Sequence, residues 1–239
     1  MQLPHFEPNN LVYDHPDFVI INKPAGMNFH GKQTQNGYIL GVADWAAKAL
    51  NIEKLWSVHR LDKMTSGLLI FAKSSEAAAK FSELFQNHQI QKYYLALANQ
   101  KPKKKQGWIK GDMEAARRGN YKLLPTKHNP AVTQFISTSI RPKLRLFLLK
   151  PHTGRTHQLR VALKSLGSPI LGDKRYQEAK QASEFDRGYL HAFALEFDWN
   201  HQEISVNCPP CFGEYFVLPE TQQQIHQWLP AGNCFKASK

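Results

Sequence analysis

Apolar residues along this chain gather in short runs separated by turn-forming clusters, a pattern of many strands and few helices. Leu11-Val12-Tyr13 and Phe18-Val19-Ile20-Ile21 read as two strands divided by Asp14-His15-Pro16-Asp17, and Pro24-Ala25-Gly26 stops the second. Residues 40–50 carry apolar positions at helical spacing. Ser74 and Ser75, followed by Glu76 and by Ala77, Phe81, Leu84 and Phe85 on one face, predict a capped helix. Residues 131–140 and 144–149 predict two antiparallel strands split by Arg141-Pro142-Lys143. A helix from about Thr156 ends at Gly167, late strands over 190–197 and 203–208 flank the turn Trp199-Asn200-His201, and residues 221–229 form a closing helix. Residues 99–130 are polar, basic and punctuated by glycine, and read as a projecting hairpin or pair of loops. The expected fold is α+β, a mixed, largely antiparallel sheet flanked by helices and loops.

At 239 residues and 42% apolar, the chain can bury a substantial core and needs only one domain, with sub-lobes at most. No apolar run has membrane-spanning length, and the first residues lack the basic and apolar regions of a signal peptide, so a cytoplasmic protein without a membrane partner is expected. Three cysteines do not suggest a disulfide framework. Cys208-Pro-Pro-Cys211 has the spacing of a zinc knuckle, but no second pair completes four ligands, and the prolines suggest a turn. His152 and His157 are not spaced i, i+4, and His59 and His157 read as hydrogen-bonded structural residues rather than metal ligands.

The net charge of +12 is unevenly spread. Between Leu84 and Gly172 stand seventeen Lys or Arg against two acids, Asp112 and Glu114, a local +15 that leaves −3 for the rest. A basic half on a faintly acidic remainder is the footprint of a polyanion binder. Membrane surface is a weaker fit, because no strongly amphipathic basic helix with an aromatic face is present.

The chemistry concentrates in Ser57-Val58-His59-Arg60-Leu61-Asp62-Lys63-Met64-Thr65-Ser66-Gly67, followed by Leu-Leu-Ile-Phe-Ala. One carboxylate lies between two cations, Arg60 and Lys63, which favour its ionised form, and Gly67 turns the chain into a buried strand. Asp62 is the candidate catalytic group. A hydrolase would call for a second carboxylate or a metal set nearby, and the basic half offers only Asp112 and Glu114 in a projecting segment.

His-Arg-Leu-Asp, then Lys-x-Thr-Ser-Gly and a hydrophobic strand, resembles the signature of the RluA family of pseudouridine synthases. Three further segments agree in the family's order: 18–26, Phe-Val-Ile-Ile-Asn-Lys-Pro-Ala-Gly; the Lys-x-Tyr strand at Lys92-Tyr93-Tyr94; and His152-Thr-Gly-Arg-Thr-His-Gln-Leu-Arg160 followed by 166–173, Leu-Gly-Ser-Pro-Ile-Leu-Gly-Asp. The resemblance covers about 11–218, so that span is expected to be the catalytic domain, with a basic insertion at about 99–130 and a C-terminal helix and tail over 219–239. Relatives often carry an S4 RNA-binding domain first, and none is expected here.

The resemblance implies the pseudouridine synthase fold and isomerisation of uridine in a structured RNA, a tRNA or rRNA stem-loop, without metal or organic cofactor. It makes Asp62 the reacting carboxylate, either adding to the sugar or abstracting a sugar proton, and Arg160 its ion-pair partner. Tyr94 would hold the uracil, Arg60 would fill the gap left by an extruded base, and Leu159 would supply an apolar wall. Strand alternation sends Tyr93 to the face opposite Tyr94. Arg155 is expected at phosphate or in a structural contact, and Lys23 near a phosphate. Met64 and Ala162 stand where relatives often carry an acid and a histidine, and neither position performs chemistry. A non-catalytic RNA-binding or RNA-folding protein on the same scaffold is the alternative, and a monomer is the default expectation.

Overall fold

A computed structural model describes residues 4–35 and 37–236, and the chain divides into two compact units, residues 1–90 with 195–208 and residues 91–194 with 209–239. Both are built from antiparallel strands with few helices, the mixed α and β architecture expected.

The first unit holds strands β1 (Leu11–Asp14), β2 (Phe18–Lys23), β3 (Lys32–Thr34), β4 (Gly37–Ile39), β5 (Trp56–Ser57) and β6 (Ser66–Ala72), with helices α1 (Val42–Ala49) and α2 (Ser75–Gln86). β2 pairs with β1 on one side and β6 on the other, while β3 and β4 form a separate hairpin. Phe18, Ile20 and Ile21 of β2 and Leu68 to Ala72 of β6 have no exposed surface, which explains their unbroken apolar runs: both faces of these strands are covered. Ser74 caps α2 as expected, its Oγ accepting the Ala77 N–H at 3.1 Å. Phe81 carries that helix into an aromatic cluster, its ring 5.3 Å from Phe18 and 4.4 Å from Trp199.

The second unit holds β7 (Gln91–Ala98), β8 (Gln106–Gly111), β9 (Met113–Ala115), β10 (Tyr121–Leu123), β11 (Ala131–Arg141) and β12 (Leu144–Pro151), then α3 (Gln158–Ser165) and α4 (Ala179–Ala182). β13 (Leu190–Trp199) passes from this unit into the first, where β14 (Gln202–Asn207) follows, and α5 (Pro219–Gln227) returns to the second. The second unit's strands lie in the order β7, β12, β11, β8, all antiparallel.

Part of the 99–130 segment is therefore sheet rather than projecting loop. β8 pairs with β11 from Ile136↔Gln106 to Ala131↔Gly111. Within β8 only Ile109 and Gly111 are buried, Lys110 faces water, and the alternation is too sparse to read as a strand. β9 and β10 make a small separate hairpin. The helix expected from Thr156 begins two residues later, because His157 takes a left-handed conformation (φ 58°) ahead of it. Gly167 (φ 75°) closes the helix, and its N–H reaches the Lys164 carbonyl at 2.9 Å.

Replacing Phe81 by Ala empties the centre of the aromatic cluster. Urea unfolding should show a loss of about 3–5 kcal/mol with the chain still folded in water.

Candidate active site

Asp62 lies in the segment between β5 and β6, which the first unit fixes from several directions. Leu61 is buried, Asp62 is half-buried, and the flanking Arg60 and Lys63 are exposed. The Asp62 carbonyl accepts the Thr65 N–H at 3.0 Å, closing a turn, and the Gly26 N–H reaches the Lys63 carbonyl at 2.8 Å. His59 has the structural role its spacing suggested: its Nε2 accepts the Ile70 N–H at 3.0 Å, and its ring lies 4.9 Å from Phe85.

Lys23 lies inside the unit rather than at its surface. It has no exposed surface, and its ammonium donates to the carbonyls of Thr65 (2.7 Å), Pro24 (2.8 Å) and Lys63 (3.4 Å). In this conformation the ammonium faces backbone oxygens inside the unit. It ties the turn after β2 to the turn that follows Asp62, because those carbonyls satisfy a charge that burial would otherwise make costly. A lysine beside Pro-Ala-Gly gives no sign of this, since two of these three carbonyls, those of Lys63 and Thr65, lie forty residues or more on.

The remaining candidates belong to the second unit. Tyr94 of β7 is half-buried and pairs in register with Leu149 of β12. Alternation separates it from Tyr93, which is 1% exposed, with the Lys150 ammonium 5.5 Å from its ring centre and Phe235 stacked 6.0 Å away. Lys92 stands two residues before Tyr94 and so on the same strand face, and burial lowers its pKa from the usual lysine value.

Leu159 and Arg160 are buried on the first turn of α3. The bend before that helix is held by Gln158, which uses the full capacity of its amide. Its Oε1 accepts from the Thr153 hydroxyl (2.7 Å) and the Arg155 N–H (3.0 Å), and its Nε2 donates to the Val132 carbonyl (3.1 Å) and the Thr133 hydroxyl (3.0 Å). Arg155 itself is exposed and donates to the Asn129 side-chain oxygen.

Arg160 has a partner the sequence analysis did not name. Its Nε donates to Asp173 Oδ2 at 2.8 Å and its Nη2 to Oδ1 at 2.7 Å, a two-bond fork with both side chains out of water. The Tyr176 ring lies 5.0 Å from the same guanidinium. The Tyr176 hydroxyl accepts the Tyr121 N–H and meets His157 Nδ1, each at 2.9 Å, and desolvation raises its pKa. Asp173 can sit there because Gly172 precedes it: a Cβ at Gly172 would come within 1.9 Å of the Arg187 carbonyl oxygen, and its φ is +71°. Asp173 closes the last quoted motif, so a signal for it existed, but only the fold shows that its partner is Arg160.

Cys208 is buried, Cys211 exposed and Cys234 half-buried, none is in a disulfide, and among the described residues no group of three or more His, Cys, Asp or Glu is placed to hold a metal ion. No helix among them is long and apolar enough to cross a membrane.

Residues 17–165 match the family of RNA pseudouridylate synthases, and the chain belongs to that family, in its RluA branch. It is 56% identical over 219 residues, 92% of this chain and 95% of the relative, to an uncharacterized RNA pseudouridine synthase of Haemophilus influenzae. It is also 34% identical to ribosomal large subunit pseudouridine synthase C of Buchnera aphidicola over 95% of this chain and 69% of that one, and 37% identical to the Rickettsia bellii protein of the same name over 76% and 61%. Human RNA pseudouridylate synthase domain containing 1 superposes with a TM-score of 0.75 at 25% identity, covering 97% of this chain and 98% of that one. The class of activity is therefore that of an RNA pseudouridine synthase, an isomerase.

Two substitutions test the buried cations. Asp173→Asn leaves the Arg160 charge half-answered and should cost about 3–5 kcal/mol in chemical denaturation. Lys23→Met leaves three carbonyls without their donor; about 3 kcal/mol should be lost, with activity falling further than stability because the Asp62 turn loosens.

Proposed function

We propose that this chain converts particular uridines of a structured RNA to pseudouridine with Asp62 as the reacting carboxylate, and that large-subunit ribosomal RNA is the first substrate to test. The observation that carries the assignment is the Asp62 turn, held by the buried Lys23 ammonium inside the segment that matches the family. A group that must meet one sugar carbon needs a fixed backbone more than a particular pKa. The names of the Buchnera and Rickettsia relatives support ribosomal RNA, and a transfer RNA stem-loop is the second substrate class.

In the reaction the N1–C1′ bond breaks, the uracil turns, and a C5–C1′ bond forms. The C5 proton leaves, N1 gains one, and nothing is oxidised or reduced. Asp62 either adds to C1′ or removes a sugar proton, and both routes need it ionised. The family motif assigns Arg160 as the cation that pairs with it. Tyr94 holds the uracil and accepts the C5 proton, Leu159 gives an apolar wall, and the exposed Arg60 takes the place of the extruded base in the stack. Arg155 contributes positive charge for phosphate beyond its bond to Asn129.

Pseudouridine mapping of RNA from cells lacking this gene, treated with the purified protein or with Asp62→Asn, tests the reading. Wild type should restore at least one site. The variant should convert it at least about a thousandfold more slowly while its affinity for the RNA stays within about threefold. Equal restoration by both would remove Asp62 from the chemistry. RNA binding without modification by wild type would favour the non-catalytic reading.

A further inference from the structure

Four large apolar side chains are exposed among the described residues, and Trp108, 46% exposed, has surroundings unlike the other three. It stands on β8, the edge strand of the second unit's sheet order. Its ring lies 4.9 Å from the His152 ring at 35°, so one side of the indole is backed, and the Lys110 ammonium sits 4.7 Å from its centre. Lys103, Lys104 and Lys105 precede the strand, all exposed. The unit that carries them has 23 Lys or Arg against 8 Asp or Glu, a net +15.

We propose that Trp108, backed by His152 and flanked by Lys110, is a stacking subsite for an unpaired base of the bound RNA, separate from the place of the target uridine. An exposed indole costs solvation, and the Lys110 ammonium over the ring holds it in one orientation until an incoming base takes that face and the flexible lysine swings to the nucleotide's phosphate. Aromatic rings on a basic surface are how single-stranded RNA is held without base-specific hydrogen bonds, because every base has a π-face and every nucleotide a phosphate. A protein partner would be served as well by the exposed Phe212 and Val217; the lysines around Trp108 select a polyanion.

Strand register separates this place from Tyr94. Tyr94, Leu149, Phe135 and Gly107 stand opposite one another across β7, β12, β11 and β8, and so share one face. Trp108 is opposite Gln134, itself opposite Lys150, in the next row, which points to the other face. A base on Trp108 is thus another nucleotide of the same RNA, reached around the sheet edge.

The inference rests on the RNA-modifying reading for its ligand class, and the experiment separates the two. Fluorescence anisotropy with a labelled decamer of uridylate and the full chain should show Trp108→Ala binding about tenfold more weakly than wild type. Trp108→Phe, which keeps a ring, should stay within about threefold of wild type. Lys110→Ala should lower the slope of log affinity against log salt by about 0.7. On RNA from cells lacking the gene, Trp108→Ala should need about tenfold more RNA for half-maximal rate at an unchanged maximal rate. Wild-type affinity in Trp108→Ala, or equal losses in the Ala and Phe variants, would overturn the subsite. A wild-type protein that forms no pseudouridine yet shows the Trp108 dependence would overturn the enzymatic reading and leave the subsite standing.

Discussion

A cation taken out of water needs its partners built around it, and each unit of this chain is organised about one such cation. In the first unit the Lys23 ammonium lies under the carbonyls of Pro24, Lys63 and Thr65. In the second the Arg160 guanidinium is gripped by both oxygens of Asp173. Neither gain need be large against the cost of desolvation, and an apolar replacement of the whole arrangement could be as stable. What the arrangements supply is position: an ammonium that must reach three named carbonyls accepts one geometry of the loops bearing them, and a forked pair accepts one rotamer of arginine. Backbone conformation follows from these demands, as in Gly172, where any side chain would collide with the Arg187 carbonyl and displace Asp173.

Elements that bury a whole face or both faces were legible in the sequence. β2 and β6 announce themselves as unbroken apolar runs, and α2 by its Ser74 cap and the Phe81 stripe. β8 was not legible, because an edge strand with Ile109 and Gly111 as its buried residues carries too few apolar positions to show a period of two. The site divides the same way. Asp62, Tyr94 and Arg160 stand in motifs whose spacing survives in one dimension, whereas Lys23 gives no hint of carbonyls forty residues away, nor Arg160 of Asp173. Long-range partnership is a property of the folded chain, and residue type alone leaves a lysine as plausible for phosphate as for a buried tie.

Charge is divided between the units as sharply as structure is. The first has 8 Lys or Arg against 11 Asp or Glu, a net −3, and the second a net +15. The unit bearing the candidate carboxylate therefore brings little attraction for a polyanion, and the unit bearing the exposed Lys103, Lys110 and Arg155 brings nearly all of it. Capture by such a surface is dominated by phosphate neutralisation and weakens steeply with salt, whereas base contacts such as a stack on Trp108 respond little to salt.

That division also bears on the chemistry. A carboxylate approached by RNA meets a dense row of phosphates, and each like charge favours its protonated, unreactive form. Cations that neutralise the phosphates lower the negative potential that any carboxylate near the strand meets, as well as binding the strand. Buried fixed charge and exposed mobile charge thus have different duties. Lys23 and Arg160 hold geometry and are insensitive to salt, because solvent does not reach them. The exposed lysines and arginines are reached by counterions, and it is this second group that ionic strength can tune.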